Sequence, residues 1–409
     1  MTSEPATAAD TGAAGDPAAR TRSSVGGYDE IAAAAARATG LDDFGGRDHE
    51  TGLRILVDDL NAEAAGLTGI GNYQLRAQVR SALVARLLSQ DGFGRHPEYA
   101  EQVIRRPVFV VGLPRSGTTA LHRLLTADAR HQGVELWLTE FPRPRPDREA
   151  RDQDPVFAAV QQAYAAHWRH DPEFMGLHHM DAAAVDECWR LLRQSGTSIG
   201  FESVSLVPRY SAWLAGADWR PAYRRHKANL QLIGLGDERR WVLKNPSHLA
   251  ALDALMAVYP DALVVVTHRD PIVAVASACS LSARASAGWS TTFTGPAIGR
   301  SQLELLARCR AAFEAARPQY PGNQFLDVEY DAFVADPVGT VRRIYRTFDL
   351  GWTPPVAAAV AELGGAAPRG PARPAHTYDL ADYGLSPADV RDAFAAAAAP
   401  ATSTDGGAR

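Results

Sequence analysis

The segment over residues 107–127 constrains the fold of this chain more than any other, because it reads as a buried strand, a glycine-rich loop and a helix in succession. PVFVVG is a continuous apolar, β-branched run, which is typical of a strand buried on both faces. The loop GLPRSGTT (residues 112–119) and the helical stretch TTALHRLLTA follow it. Two glycines permit a tight turn that gathers backbone N–H groups, and the helix adds its positive N-terminal end. This unit predicts a site for a phosphate-like group.

The loop differs at one position from the nucleotide triphosphate pattern G-x-x-x-x-G-K-[ST], because Thr118 stands where that pattern has lysine. Arg115 supplies a forked, permanent positive charge, while Ser116, Thr118 and Thr119 supply hydroxyl groups. The strand that ends in THRD offers no convincing carboxylate for a magnesium ion. A plain glycine-rich turn is the alternative reading, but the register of the polar positions favours a loop built for another anion.

Further apolar runs alternate with helical stretches. WVLK, ALVVVTH and FLDVEY predict strands, and each is followed by a helical pattern. This alternation predicts an α/β domain with a mostly parallel β-sheet flanked by helices, over residues 105–350. Apolar residues at helical spacing predict a helical N-terminal extension over residues 28–104, and residues 351–399 are assigned to a C-terminal segment of helix and loop. The termini, residues 1–27 and 400–409, are predicted to be disordered.

Composition narrows the functional classes. The chain has 409 residues and a formal net charge of −5, which argues against a nucleic-acid-binding protein. The three cysteines, Cys188, Cys279 and Cys309, form neither a disulfide framework nor a zinc pattern, and they predict a reducing, cytoplasmic location. No apolar run is long enough to span a membrane.

A second anion-binding stretch is LVVVTHRDPIVAVASACSL, in which Arg269 ends a strand and Ser277 lies in the helix that follows. The loop and this stretch together resemble the two nucleotide signatures of sulfotransferases that use 3′-phosphoadenosine 5′-phosphosulfate (PAPS). The resemblance extends over residues 106–350, includes WVLKNPSHL, and is strongest to the bacterial branch. It implies the P-loop-like sulfotransferase fold, with the loop residues Arg115 to Thr119, Gly117 included, holding the phosphosulfate. Arg269 and Ser277 would then hold the 3′-phosphate.

The resemblance also implies roles in the reaction, which is transfer of a sulfonate to a hydroxyl of a small-molecule or carbohydrate acceptor. Lys244 would contact the transferring group, Arg115 would share the stabilisation of charge, and Tyr330 would stack on the adenine. The eukaryotic R-K-G motif is absent, and RGPARPAH (residues 369–376) is its candidate replacement. A kinase or nucleotide triphosphatase, a non-catalytic nucleotide-binding module and a protein tyrosine acceptor are the alternatives.

The base that takes the acceptor proton has three candidates. Glu135 is favoured because several sulfotransferases carry a catalytic glutamate at a similar distance after the loop. His248 is second, since the cytosolic relatives place a histidine closer to the lysine. The pair His178 and His179 is third.

Two acidic residues, Asp186 and Glu187, are assigned to the lining or support of the acceptor pocket. Together with the histidine pair they do not match a standard metal-ligand spacing. We therefore expect no metal.

Overall fold

The computed structural model describes residues 21–170, 180–365 and 379–398. Its first three helices are α1 (Tyr28–Thr39), α2 (Glu50–Leu60) and α3 (Gly69–Arg95). α1 buries Tyr28, Ile31 and Ala35, which lie on one face at three- and four-residue spacing. It ends at Gly40, whose φ of 69° is the left-handed conformation that glycine adopts without strain. The helical N-terminal pattern in the sequence thus corresponds to real helices.

The predicted disordered N-terminal tail extends too far into the chain. Residues 21–27, assigned to the disordered tail, pack against the helices: the Val25 side chain is fully buried. Its backbone N–H donates to Asn61 Oδ1 at 3.2 Å, and its carbonyl accepts from Arg76 Nη1 at 2.8 Å. One valine and its hydrogen-bonded backbone are enough to fix a segment whose composition is otherwise typical of disorder. Residues 1–20 and 399–409 lie outside the described part of the chain.

Seven strands follow among the described residues, in chain order: β1 (Val108–Gly112), β2 (His131–Gln132), β3 (Val134–Glu135), β4 (Val185–Asp186), β5 (Arg240–Lys244), β6 (Leu263–His268) and β7 (Phe325–Glu329). Five of them form a parallel sheet in the order β2-β5-β1-β6-β7, while β3 and β4 form a separate antiparallel pair. In the sheet, Val110 lies beside Lys244 and Gly112 lies beside Thr267. The carboxyl ends of β1, β5 and β6 therefore meet at one edge.

The helices described after α3 are α4 (Thr118–Thr126), α5 (Leu136–Glu140), α6 (Arg148–Asp152), α7 (Pro155–His170), α8 (Trp189–Arg193), α9 (Pro208–Gly216), α10 (Arg220–Ile233), α11 (Leu252–Val258), α12 (Pro271–Ala285), α13 (Gly295–Ala316), α14 (Tyr330–Ala335), α15 (Pro337–Thr347), α16 (Pro354–Gly365) and α17 (Pro387–Ala398). They cover both faces of the sheet. Phe109 and Val111 join the larger apolar core, whereas Val108 and Val110 pack with residues of α4 and α15 on the opposite face. This confirms the predicted parallel sheet flanked by helices. Within the described ranges, no helix is both long and apolar enough to cross a membrane.

The N-terminal helices share the core of the sheet. Leu56 of α2 and Leu83 of α3 belong to the same apolar cluster as Phe109 of β1. Arg86 of α3 is fully buried and pairs with Asp48 at 2.5 Å. Its Nη1 also donates to the Gln194 carbonyl at 3.2 Å, just after α8. A buried guanidinium needs such partners, so these contacts fix the helical extension onto the α/β unit.

Candidate active site

The loop between β1 and α4 has a backbone that glycine alone fits at two positions. A Cβ on Gly112 would overlap the Thr267 hydroxyl of the neighbouring strand. Gly117 has a φ of 85°, and a Cβ there would lie 3.2 Å from atoms of Tyr330 and Phe333. Arg115 is also left-handed, with a φ of 69°. The chain therefore turns tightly between the strand and the N-terminus of α4, as an anion-binding loop requires.

Of the three loop residues that carry hydroxyl groups, two are buried and one is exposed. Ser116 is fully buried; its hydroxyl donates to the Leu113 carbonyl at 2.6 Å and lies 2.6 Å from the hydroxyl oxygen of Thr267. Thr118, the residue in place of the lysine, is buried as well, whereas Thr119 is exposed. The Ser116 side chain thus shapes the loop, and of the three residues Thr119 is the exposed one.

Arg115 is connected to both members of the second anion-binding stretch. Its Nε donates to Ser277 Oγ at 3.2 Å, across 162 residues of sequence. Its carbonyl accepts from Arg269 Nη1 at 2.6 Å. The Arg269 guanidinium also lies over the Tyr330 ring, 4.1 Å from its centroid. The structure therefore brings four of the predicted nucleotide-binding residues together.

Lys244 ends β5 on the other side of the loop. Its side chain is 3% exposed, and Nζ donates to Thr119 Oγ1 at 3.0 Å and to the Glu187 carboxylate. The segment that carries Glu187 is tied to the strand end, because the Cys188 N–H donates to the Lys244 carbonyl at 3.1 Å. The ammonium thus lies between the start of α4 and a carboxylate. This arrangement can place positive charge beside an anion held by the loop.

Glu135 contacts one tryptophan and two arginines. The Trp137 indole N–H donates to its carboxylate at 2.8 Å, and Arg145 and Arg151 pair with it at 3.5 and 3.9 Å. Arg145 also lies over the ring of Trp241, near the start of β5. Among the described contacts, the carboxylate that pairs with Lys244 is that of Glu187. Glu135 pairs with Arg145, which precedes α6, and with Arg151, which lies in α6.

Comparison with known proteins identifies the chain. The profile of the sulfotransferase family matches residues 107–354, which include the loop, Lys244 and Arg269. The chain belongs to this family.

Several sulfotransferases resemble it over most of its length. The crystal structure of sulfotransferase STF1 from Mycobacterium tuberculosis H37Rv superposes with a TM-score of 0.85 at 47% identity, covering 92% of this chain and 100% of that chain. STF9 from Mycobacterium avium gives a TM-score of 0.79 at 26% identity, covering 90% and 95%. An omega-hydroxy-beta-dihydromenaquinone-9 sulfotransferase, Stf3, of Mycobacterium tuberculosis (strain CDC 1551 / Oshkosh) is 27% identical over 282 residues, which are 63% of this chain and 66% of that relative.

His248 of this sulfotransferase is part of the core. It lies in a 3₁₀ turn (Pro246–Ala251), is fully buried, and its Nδ1 is 2.7 Å from the Tyr223 hydroxyl. It packs edge-on against Phe109 of β1. Burial, with the nearby His226 and Lys244, holds its pKa well below the usual value. Fully enclosed, His248 lacks the access to an acceptor that the predicted role requires, and proline at position 246 begins the turn that carries it inward.

Buried histidines make the stability of the enzyme depend on pH. Burial lowers the pKa of His226 to about 3 and those of His49 and His122 to about 4. In the unfolded chain they titrate near pH 6.5, so between about pH 6.5 and 4 the unfolded state binds more protons. We expect the free energy of unfolding to decrease as the pH is lowered through this window, by about 1.4 kcal/mol per pH unit for each histidine.

Urea unfolding at pH 7.0 and 5.0 measures this effect. His226→Asn should reduce the slope by the share of one histidine, while the control His96→Asn, at a partly exposed histidine, should retain the full slope. Equal slopes for the wild type and His226→Asn would contradict the assignment.

Two other expectations concern histidine and metal. His178 and His179 lie outside the described residues. Asp186, which was grouped with them, pairs with Arg190 at 2.7 Å. In the described ranges, no group of three or more histidine, cysteine, aspartate or glutamate side chains is arranged to hold a metal ion.

Proposed function

We propose that this sulfotransferase transfers the sulfonate of PAPS to a hydroxyl group by in-line attack. The observation that carries the proposal is the contact set of Arg115 and Lys244. Arg115 joins the loop to Ser277 and Arg269, and Lys244 reaches the start of α4 from the adjacent strand. All of these groups lie at the carboxyl ends of parallel strands, where open α/β sheets bind ligands.

The donor would lie along this edge. The loop backbone and Arg115 would hold the 5′-phosphosulfate, while Arg269 and Ser277 would hold the 3′-phosphate. Tyr330 already has the Arg269 guanidinium over its ring. A stacked adenine would therefore use the other face of the ring, and the tyrosine would orient Arg269 as well.

The reaction needs a proton acceptor and a positive charge at the sulfonate. The acceptor oxygen attacks sulfur, the bond from sulfur to the bridging phosphate oxygen breaks, and 3′-phosphoadenosine 5′-phosphate leaves. Lys244 and Arg115 would offset the charge that develops on the sulfonate and bridging oxygens. The acceptor hydroxyl loses its proton to a base on the side opposite the leaving nucleotide.

We assign the base to Glu187. Its carboxylate contacts Lys244 and its side chain is 16% exposed, so an acceptor can approach it. The Glu135 side chain is equally exposed, at 16%, but its contacts are with Arg145 and Arg151 instead of Lys244, and His248 is enclosed in the core. Placed next to the ammonium that meets the sulfonate, Glu187 combines access with proximity to the transferring group.

The two alternative functions, a kinase or triphosphatase and a non-catalytic nucleotide-binding module, each fit the residues at the loop less well. A kinase or triphosphatase uses a loop lysine and magnesium ligands, but the lysine position is the buried Thr118. A non-catalytic nucleotide-binding module has no use for a buried lysine paired with a carboxylate beside the loop. Both observations favour sulfonate transfer.

The acceptor is proposed to be a small molecule with a free hydroxyl group. The name of the relative Stf3 describes such an acceptor, a hydroxylated menaquinone derivative. A carbohydrate hydroxyl presents the same reacting group to Glu187. The three free, buried cysteines are compatible with a cytoplasmic location, which we also propose.

Donor binding tests the proposal. With EDTA present, calorimetry should show 3′-phosphoadenosine 5′-phosphate binding in preference to ATP, and Arg269→Ala should weaken it by about 2–3 kcal/mol, the scale of a lost charge-assisted contact. Label from [³⁵S]PAPS should pass to acceptors in an extract of the producing cell. Preference for ATP, or dependence of binding on magnesium, would overturn the proposed function.

A further inference from the structure

The end of β5 that carries Lys244 extends beyond the strand that pairs with it on one side, β2. In the described residues, β2 pairs with β5 at Arg240 and Trp241, and β5 continues to Lys244. The Arg240 N–H donates to the Arg130 carbonyl at 3.0 Å, so Arg240 faces β2. Because alternate residues of a strand direct their N–H and carbonyl groups to the same side, the carbonyls of Val242 and Lys244 also face that side, beyond the end of β2.

Two groups from outside this sheet supply donors to these carbonyls. Val242 is fully buried, and a buried carbonyl without a donor is costly. Its oxygen lies 2.9 Å from His122 Nε2, while the Lys244 carbonyl accepts from the Cys188 N–H at 3.1 Å. His122 and Cys188 thus occupy hydrogen-bonding positions that a longer β2 would have filled.

The His122 imidazole makes this hydrogen bond as a neutral donor. Burial lowers its pKa to about 4, so near pH 7 one ring nitrogen carries a proton. A carbonyl oxygen can only accept, which places that proton on Nε2. A neutral donor also adds no second positive charge close to Lys244.

His122 and Thr119 contact β5 from the same face of α4, since they are three residues apart on the helix. Their partners, Val242 and Lys244, are two residues apart on the strand. Apolar packing of α4 against the sheet has no direction of its own, whereas a hydrogen bond does. The contact of His122 therefore sets the position of α4 along β5.

We infer that His122 is a positioning residue for Lys244, because its hydrogen bond to the Val242 carbonyl fixes the strand end from which the ammonium reaches Thr119. The inference rests on the proposed function and deepens it. Without this bond the backbone of β5 can shift against α4, and the ammonium shifts with it relative to the sulfonate.

Glutamine and asparagine separate the hydrogen bond from the mere presence of a polar side chain. The glutamine amide nitrogen is as many bonds from Cα as imidazole Nε2, so His122→Gln can donate to Val242, whereas the shorter asparagine does not reach it. At saturating [³⁵S]PAPS, His122→Asn should lower the initial rate of label transfer to acceptors in the cell extract by about tenfold, and His122→Gln should stay within about threefold of the wild type. The dissociation constant of 3′-phosphoadenosine 5′-phosphate, measured by calorimetry, should change by less than about twofold in both variants.

A double-mutant cycle shows whether His122 acts through Lys244. In the Lys244→Ala background, His122→Asn should change the transfer rate by less than about twofold, because no ammonium is left to position. A residue that supports the fold alone would lower the rate by the same factor in both backgrounds.

The matched control is His226→Asn. His226 is a fully buried histidine of α10, and its Nδ1 lies 2.8 Å from the Tyr259 hydroxyl. This variant should keep the transfer rate within about twofold of the wild type, which shows that replacing a buried imidazole by an amide is not itself the cause.

Three results would overturn the inference: a wild-type rate in His122→Asn, a rate in His122→Gln as low as that of His122→Asn, or equal factors in the two backgrounds of the cycle. Thermal unfolding checks that the variants fold. If His122→Asn does not fold, His122→Leu, which leaves no unpaired amide in the core, takes its place with the same expected rates. Any of the three results leaves the proposed function intact, whereas a wild type that neither binds 3′-phosphoadenosine 5′-phosphate nor transfers label would overturn the proposed function itself.

Discussion

Lys244→Ala should lower kcat about 10²–10³-fold, the scale for loss of one electrostatic stabiliser of a transition state. The ammonium lies at the start of α4, with Nζ 3.0 Å from Thr119 Oγ1, and its side chain is 3% exposed. A charge in such a dry position interacts strongly with the charge that develops as the S–O bond breaks. The dissociation constant of 3′-phosphoadenosine 5′-phosphate, which lacks the sulfonate, should change little. Steady-state kinetics with PAPS and calorimetry with that product separate the two quantities.

The chain offers a matched control for this experiment. Lys227 and Lys244 are its only two lysines. Lys227 lies on α10 with Nζ 6.0 Å from the Tyr259 ring centroid, and Lys227→Ala should retain full turnover. Thermal unfolding checks that the variants fold. Turnover that survives in Lys244→Ala with only nucleotide affinity reduced would make Lys244 a binding residue and contradict the catalytic assignment.

The sheet was predictable because its signals are local. β1 and β6 read as uninterrupted β-branched runs, and Val108 to Val111 are indeed almost fully buried. Asp270 and Pro271 mark the start of α12, where the Asp270 side chain accepts from the Ile272 N–H at 2.8 Å. The boundary of the N-terminal tail was harder to predict. The position of Val25 depends on contacts with Asn61, at the end of α2, and Arg76, in α3, and sequence spacing alone does not place these residues beside it.

The approximate position of the proposed nucleotide site was also predictable, because it follows from the arrangement of the parallel strands. Parallel strands bring their carboxyl ends together, so the loop, Lys244 and Arg269 had to approach one another once the strands were identified. The hydrogen bonds of Arg115 to Ser277 and Arg269 were not predictable, because they depend on side-chain directions across more than 150 residues of sequence.

The base was predicted from its spacing after the loop, and spacing alone does not reveal which side chains contact Glu135. Glu135 lies on a two-residue strand, and sequence spacing does not place beside it the two arginines that pair with it, Arg145 before α6 and Arg151 within α6. Glu187 was grouped with the acceptor pocket, but its contact with Lys244 follows from the backbone hydrogen bond between Cys188 and the end of β5. Such a tertiary bond leaves no pattern in a single sequence.

Glu187→Gln should lower kcat by about 10²–10³-fold, within the range for loss of a general base, while leaving 3′-phosphoadenosine 5′-phosphate binding within about twofold. Glutamine keeps the shape of the side chain and an oxygen that can accept from Lys244 Nζ, so the position of the lysine should be preserved. What is lost is the carboxylate that takes the acceptor proton. Steady-state kinetics with PAPS and calorimetry with 3′-phosphoadenosine 5′-phosphate measure the two quantities.

Glu135→Gln is the control that decides between the two carboxylates. Its partners are Trp137, Arg145 and Arg151, so the substitution should reduce stability while leaving kcat unchanged. The reverse outcome, in which Glu135→Gln lowers kcat and Glu187→Gln retains it, would return the role of base to Glu135. If both variants keep the kcat of the wild type, neither carboxylate accepts the proton. Glu187 would then act only on Lys244, by holding its ammonium beside Thr119 at the start of α4.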